Sequence, residues 1–459
     1  MSRSRTLFVL LSLVFPGLAV ATGLDTAMKK VMKEGHVPGL TFAVTENGKI
    51  IKTGHYGVAS LELRAPCSDA TRFEIASMSK MFAGAAALIL IDEGLLSLDD
   101  PVSKFFTGLP ATWDGMKIRD LLGMSTGLPE DWNVIPWADV LTNYDENSMM
   151  EEFKSLKMLS GVGEEFHYSS PGYAMIGMIV EKISKQPLKV FVRDHIFRPA
   201  GMTESSYVDP VAVVPGRADG YQLQNDGVHV KRGYYVTPYM HARADAGILS
   251  TARDFARWVV ALRAGRIVKN PDRIFEPFRS RSGVPLDYGY GWFISPYRGL
   301  RAFQHTGGYR TGFSSDVVYF PASDVSVTVL TNLSGAPLDD LVDVLAQMYV
   351  PGFHAPKPDV DKDKAETGKL IAALKSLAKE RRYPDLIQDH SMSVEVAAAR
   401  LGAVKEYRFA GRYDLSGRGA TALGVPLTSA IALELDFGKS SHELLFYFDK
   451  QGHVVHIGD

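Results

Sequence analysis

An α+β fold is what the sequence predicts: one mainly antiparallel sheet flanked by helices, with a helical subdomain between its strands. Three observations carry it. Strand-like runs lie near both ends of the first 350 residues, and helix-like runs fill the middle. A Pro-rich break then precedes a final segment with its own mixture of helices and strands. Terminal strands that meet in one sheet, with the intervening helices packed on it, make a layered domain.

The elements follow in order. Arg3 and Arg5 precede an apolar run from Leu7 to Leu18, and Ala19-Val20-Ala21 has the small-x-small pattern of a cleavage site. Residues 1–21 are therefore expected to be a signal peptide, with a mature start near Thr22 and a periplasmic or secreted location. A membrane anchor is the alternative, but the run is shorter than the roughly 20 residues a span requires, and Pro16-Gly17 interrupts it. Leu24 to Gly35 reads as an amphipathic helix. Gly39 to Glu46 and Lys49 to Val58 read as strands joined by Asn47-Gly48, a strong hairpin signal.

Met81 to Gly94 is apolar enough for a buried core helix, and Ile118 to Met124 is a shorter helix broken by Ser125 to Pro129. Residues 130–165 lack periodicity; their Trp132, Trp137, Tyr144 and Phe153 either line a cleft or pin a long loop to the core, and the second reading is preferred. Pro171 suits the opening turn of a helix from Ala174 to Lys185, where its missing N–H would be orphaned anyway. Ser250 or Thr251 can cap a helix from Ala252 to Gly265. Ala302–His305, Ser315–Phe320 and Val325–Asn332 read as strands, the last alternating with period two, and Leu338 to Tyr349 as the closing helix.

The expected domains are 22–350 for the main unit, a linker at 351–364, and a small α+β module at 365–459 of no readable role. In that module Lys369–Arg382 and Val394–Leu401 look helical, and Lys450-Gln451-Gly452 turns between two strands.

The formal charge of −2 gives neither a basic field for nucleic acid nor an acidic tract for a cationic partner. A small-molecule or peptide substrate is the expected partner, and the sequence does not set the oligomeric state. Loss of Arg3 and Arg5 would take the charge from −2 to −4. Cys67 is the single cysteine, so no intramolecular disulfide can form. No His-Glu-x-x-His pair occurs among the twelve histidines, and no metal or cofactor is expected.

The chemistry centres on Phe73-Glu74-Ile75-Ala76-Ser77-Met78-Ser79-Lys80. A serine and a lysine three residues apart on a helix share a face. A serine hydroxyl needs a base within hydrogen-bonding reach, and a helix beginning near Ser77 would favour negative charge at its N-terminus. Spacing alone is weak, because Ser-x-x-Lys recurs at Ser376-Leu377-Ala378-Lys379, in surroundings typical of a solvated helix face. Partners elsewhere must separate the copies.

Those partners make the chain resemble the serine β-lactamase and penicillin-binding protein superfamily, in its branch of class C β-lactamases, D,D-peptidases and family VIII-like esterases. Ser77-Met78-Ser79-Lys80 resembles the first motif. Ile118 to Leu128 resembles the helix and turn after it, and Tyr168-Ser169-Ser170 resembles Tyr-x-Asn. His195 to Met202 and Ala246 to Thr251 are similar to further landmarks, and His305-Thr306-Gly307-Gly308 to Lys/His-Thr/Ser-Gly.

The resemblance, which spans roughly Leu24 to Met348, implies a β-lactamase/transpeptidase-like fold. It implies that Ser77 is acylated, that Lys80 and Tyr168 move the proton, and that His305, Thr306 and Gly307 form the strand edge where substrate pairs. The amides of Ser77 and Gly308 would make the oxyanion hole.

Two departures bear on substrate. Ser170 stands where asparagine is usual, and His305 where most penicillin-hydrolysing members have lysine, which removes a permanent cation. The expected activity is that of an exported serine hydrolase on D-amino-acid peptides, with a carboxylesterase next and a β-lactamase after it. A non-catalytic penicillin sensor on the same scaffold would be expected to lose Lys80 or Tyr168, and both are present. A Ser-His-Asp hydrolase is disfavoured: the Gly-x-Ser-x-Gly spacing of Gly123-Met124-Ser125-Thr126-Gly127 lies where a helix breaks, not at the strand-to-helix turn an elbow requires.

Overall fold

The computed structural model describes residues 16–458 apart from 131–144, 210–211, 225–226, 228, 232–243, 310–311, 355–363, 389–393, 416–420, 423–424 and 438–440. Most of the expected leader, Trp132, Trp137, Tyr144 and most of the linker thus lie outside the described residues.

Eight antiparallel strands form the main sheet. They are β1 (Gly39–Glu46), β2 (Lys49–Ser60), β3 (Ala65–Pro66), then, beyond two short strands β4 (Phe73–Glu74) and β5 (Ser206–Tyr207) and a third, β6 (Ile248–Ser250), the strands β7 (Tyr288–Gly289), β8 (Trp292–Phe293), β9 (Phe303–Tyr309), β10 (Phe313–Phe320) and β11 (Val325–Thr331). Their order across the sheet is β3-β2-β1-β11-β10-β9-β8-β7, so the chain's first strands pair with its last. β1 and β2 join through Asn47 and Gly48, both left-handed at φ 48° and 70°, as a two-residue hairpin turn requires. β4, β6 and β5 form a separate small sheet.

The main sheet is covered on both faces, which is why β10 and β11 are buried along their whole length. Side chains alternate between two cores. Leu40, Phe42, Val44, Val318, Phe320, Val327 and Val329 meet helices α1 (Pro16–Glu34) and α7 (Leu338–Tyr349). Ala43, Val317, Tyr319 and Leu330 face a larger core, shared by α2 (Ser79–Asp92), α3 (Ile118–Leu122), α4 (Glu146–Ser155), α5 (Ser170–Ser184) and α6 (Ala252–Arg263). Phe153 is fully buried there, but on α4 and not in the long aperiodic loop expected over 130–165.

α2 is apolar all round, and twelve of its fourteen residues are buried, as befits a helix at the centre of a large core. Such a helix needs neighbours that come close. The β7–β8 turn does so at Gly84, where a Cβ would stand 2.1 Å from the Tyr290 carbonyl oxygen. Gly291 (φ +90°) returns the contact against the Lys80 and Met81 backbone. α1 begins at Pro16 rather than at Leu24, and α3 ends at Leu122 rather than Met124; α7 matches its expected bounds. β4 to β8 are too short to leave a period in the sequence.

Further along the chain, α8 (Lys364–Glu380) and α9 (Val394–Gly402) pack on one face of a meander of β12 (Glu406–Asp414), β13 (Ser429–Asp436), β14 (Ser441–Phe448) and β15 (Val454–Gly458). The other face carries Tyr413, Leu415, Leu427, Tyr447 and Val455 in a separate apolar cluster.

Candidate active site

Ser77 lies on a single 3-10 turn, Ala76–Met78, that leads directly into α2. The α-helix proper starts two residues later than the spacing suggested. The turn is tied on three sides. The Ile75 N–H donates to the Ile248 carbonyl at 3.0 Å, the Met78 N–H to the Ile75 carbonyl at 3.2 Å, and the Ser315 hydroxyl to that same carbonyl at 2.9 Å. Strand β9 crosses this carbonyl at Gly307, where a Cβ would sit only 2.2 Å from the oxygen. Any side chain there would push the Ser77 turn off the sheet. Ala76 is buried and left-handed at φ 46°. That conformation costs a residue with a Cβ about 1–2 kcal/mol, so the surrounding contacts must impose it.

Lys80 is completely buried. Its Nζ donates to Ser77 Oγ at 3.3 Å, to Ser170 Oγ at 3.3 Å and to the Asp245 carbonyl at 3.0 Å. The hydroxyl of Ser170, although shorter than an asparagine amide, therefore reaches Lys80. Tyr168 completes the group: its ring centroid is 4.8 Å from Lys80 Nζ, and its hydroxyl shares a hydrogen bond with Ser77. Burial pushes the Tyr168 phenol well above its usual range, opposed by the Ser77 bond and reinforced by the negative charges of Glu130 and Asp245. At neutral pH Tyr168 is thus a protonated donor.

The segment Ile118 to Leu128 is what positions this tyrosine. Met124, left-handed at φ 56°, accepts the His167 N–H on its carbonyl at 2.7 Å and the Ser169 N–H on its sulfur at 3.1 Å. Ser169 caps α5 by accepting the Gly172 N–H at 3.3 Å, and the Tyr173 hydroxyl donates to the Leu122 carbonyl at 3.0 Å. The two stretches that flank Tyr168 are thereby fixed to one another before any substrate arrives.

On the opposite wall His305 is 1% exposed. Its Nδ1 lies 2.6 Å from the Thr306 carbonyl and so carries the proton, and its Nε2 accepts the Tyr288 hydroxyl at 2.9 Å, a tautomer assigned from these partners. Burial, with the Lys80 charge beside it, pushes His305 down to about 3 despite the Thr306 bond. It is a neutral side chain. The imidazole faces inward, and Thr306 and Gly308 are the exposed positions.

β8 pairs with β9 only at Phe293 and Gln304, so among the described residues no strand covers the outer edge of β9 from His305 onward. Phe293 stacks on Tyr168, 5.9 Å between centroids and 9° between planes.

Ser77, Lys80, Tyr168, Ser170, His305 and the Thr306-Gly307-Gly308 edge are thus brought together. Ser376 and Lys379 lie on α8 in the C-terminal module. Glu164 accepts the Gly161 N–H at 2.9 Å and Glu165 pairs with His167 at 3.4 Å. Sequence reasoning missed Asp245, Tyr288, Phe293 and Glu130. Asp245 acts through a carbonyl, which no residue type advertises; Tyr288-Gly289-Tyr290-Gly291-Trp292, with aromatics and glycines alternating, was a readable signal of a tight aromatic turn.

A mainly antiparallel sheet with a buried Ser-x-x-Lys helix behind an open strand edge is the architecture of penicillin-binding proteins and β-lactamases. The chain belongs to the beta-lactamase family, whose model matches residues 24–348. It is 27% identical over 346 residues to "Protein flp" of Staphylococcus aureus (strain MW2), a match covering 71% of this chain. The chain spans 66% of that relative's length. It is also 27% identical over 321 residues to "Penicillin-binding protein 4*" of Bacillus subtilis (strain 168), covering 66% of this chain and 70% of the relative.

A penicillin binding protein from Bacillus halodurans superposes with a TM-score of 0.60 at 25% identity, over 70% of this chain and 99% of that one. The octameric penicillin-binding protein homologue from Pyrococcus abyssi shares the fold at a TM-score of 0.60 and 23% identity, over 94% of this chain and 96% of that one. The latter likeness reaches into the C-terminal module.

Proposed function

We propose that this protein is an exported serine hydrolase that works through an acyl-enzyme on Ser77, with D-amino-acid peptides as its substrate class. The observation that carries the reading is the single amine of Lys80 held between Ser77 Oγ, Ser170 Oγ and the Asp245 carbonyl, with the Tyr168 hydroxyl on the same serine. In this scheme Lys80 acts in its neutral amine form, with the Ser77 hydroxyl turned to donate to Nζ, and takes that proton as Ser77 Oγ attacks the scissile carbonyl. Tyr168, held as a phenol, donates a proton to the leaving nitrogen and recovers one through Lys80. The carbonyl oxygen, negative in the tetrahedral intermediate, is received by the amides of Ser77 and Gly308. Substrate lies along the exposed edge of β9, where a peptide can pair as an added strand. Water then attacks the acyl carbonyl, giving one proton to the Lys80–Tyr168 pair, which returns it to Ser77 Oγ as the ester bond breaks and the acid leaves.

A second reading, carboxylesterase, is favoured by one observation: neutral His305 supplies no cation at that edge to hold a substrate carboxylate. The same observation counts against efficient β-lactam hydrolysis. Parallel assays on D-alanyl peptides, short-chain aryl esters and a chromogenic cephalosporin test the ranking. D-alanyl peptides turned over with the highest kcat/KM is the expected result; turnover of esters alone would transfer the assignment to the esterases.

Export is part of the proposal. Among the described side chains of α1, Leu24, Met28 and Met32 lie in the core, and all three follow Thr22, so cleavage before Thr22 would keep them.

A further inference from the structure

We propose that the C-terminal β-meander positions the catalytic edge, acting through His456 and Tyr447 on the segment 287–300. This inference rests on the acyl-enzyme reading of Ser77 and adds to it a role for the module that the sequence left without one.

The segment has two sides. On its inner side Tyr288 bonds His305 Nε2 at 2.9 Å, and Phe293 stacks on Tyr168. The Gln304 amide, next to His305, donates to Ser295 Oγ at 3.0 Å. On its outer side His456 of β15 brings Nδ1 to 3.2 Å from the Asp287 carboxylate, and the Tyr447 hydroxyl of β14 donates to the Pro296 carbonyl at 3.3 Å. Leu415 fills the space over Gly299, where a Cβ would stand 2.0 Å from its methyl carbon. His456 and Tyr447 are 6% and 0% exposed, so the meander's side of both contacts is buried.

Asp287 adjoins Tyr288 in the chain, and its carbonyl also accepts the Ile294 N–H at 2.9 Å, closing the β7–β8 hairpin. That hairpin needs the support. β7 and β8 are two residues each, and β8 meets β9 at one residue pair. So short a pairing is not stable by itself. The approach of buried His456 to the half-buried Asp287 therefore bears on the backbone that carries Tyr288 and Phe293, and through them on the orientation of His305 and Tyr168. His456 and Tyr447 are positioning residues, which act on Asp287 and the Pro296 carbonyl and through them on the site.

The test uses the full chain with His456→Ala, His456→Gln and Tyr447→Phe, each followed by kcat and KM on an aryl ester and by the fluorophosphonate labelling rate. Thermal unfolding is recorded alongside. Misplacing a catalytic group by a fraction of an ångström costs rate more than binding, so kcat and labelling should fall by about five- to twentyfold in His456→Ala with KM within about twofold. His456→Gln, able to donate to Asp287, should recover most of the loss.

A lowered melting temperature with kcat of the folded protein unchanged would mean that these residues only hold the module in place, and would overturn the proposal. Should His456→Ala not fold, Tyr447→Phe, which loses one hydroxyl, decides by the same kcat criterion. Labelling that persists in Ser77→Ala would fault the acyl-enzyme assignment instead, and ester kcat would still judge the brace.

Discussion

At the scale of single residues the site is governed by one buried amine and one buried imidazole. Lys80 Nζ has three oxygen partners, and removing it should leave Ser77 without its proton acceptor. Lys80→Ala is expected to lower acylation about 10²–10⁴-fold, as is typical for loss of a general base, while Tyr168→Phe should act mainly on turnover of poor leaving groups. A comparison of aryl esters with amides separates the two.

His305 makes a pH prediction. Unfolded, it protonates near its ordinary value of 6.5, whereas folded it stays neutral down to about 3. Between those values the unfolded state binds the extra proton, so stability falls as pH drops from 6.5 towards 3. Urea midpoints at neutral and acid pH should draw closer together in His305→Gln than in wild type. That Ser77, Lys80 and Tyr168 come together was legible because their motifs resemble the family's, in its order. The Asp245 carbonyl was not, since any residue could supply it, and the inward turn of His305 depends on Tyr288, which is distant from every motif.

At the scale of elements, close backbone approach does what side chains alone could not. Gly84 lets the β7–β8 turn rest on α2, and Gly307 lets β9 cross the Ile75 carbonyl. Gly84→Ala would force a Cβ against the Tyr290 carbonyl and should cost about 1–3 kcal/mol, read as a lower denaturant midpoint with reduced activity. Thr251 caps α6 by accepting the Asp254 N–H at 3.1 Å. Its replacement by alanine should cost about 1 kcal/mol with little change in kcat. Long periodic elements such as α7, β10 and β11 could be read from pattern, and so could the Asn47-Gly48 turn. The hairpin that supports Tyr168 and His305 could not, because two-residue strands carry no periodicity and owe their pairing to tertiary contacts.

At the scale of the whole molecule, one sheet separates two cores, and the nucleophile helix belongs to the larger of them. The catalytic group lies where that helix, the Tyr168 loop and β9 converge, so its residues come from positions 77 to 308 of the chain. The meander completes this arrangement from outside the main sheet. Expression of the whole chain in a bacterial host should yield a mature protein beginning at Thr22, by intact mass and N-terminal sequencing. A periplasmic product that retains Met1 would contradict the leader assignment.

The central claim is that Ser77 alone becomes acylated, and peptide mass spectrometry after fluorophosphonate treatment tests it most directly. One adduct on the peptide containing Ser77, absent from Ser77→Ala, is the predicted result. An adduct on any other residue, or equal labelling of the two proteins, would contradict it.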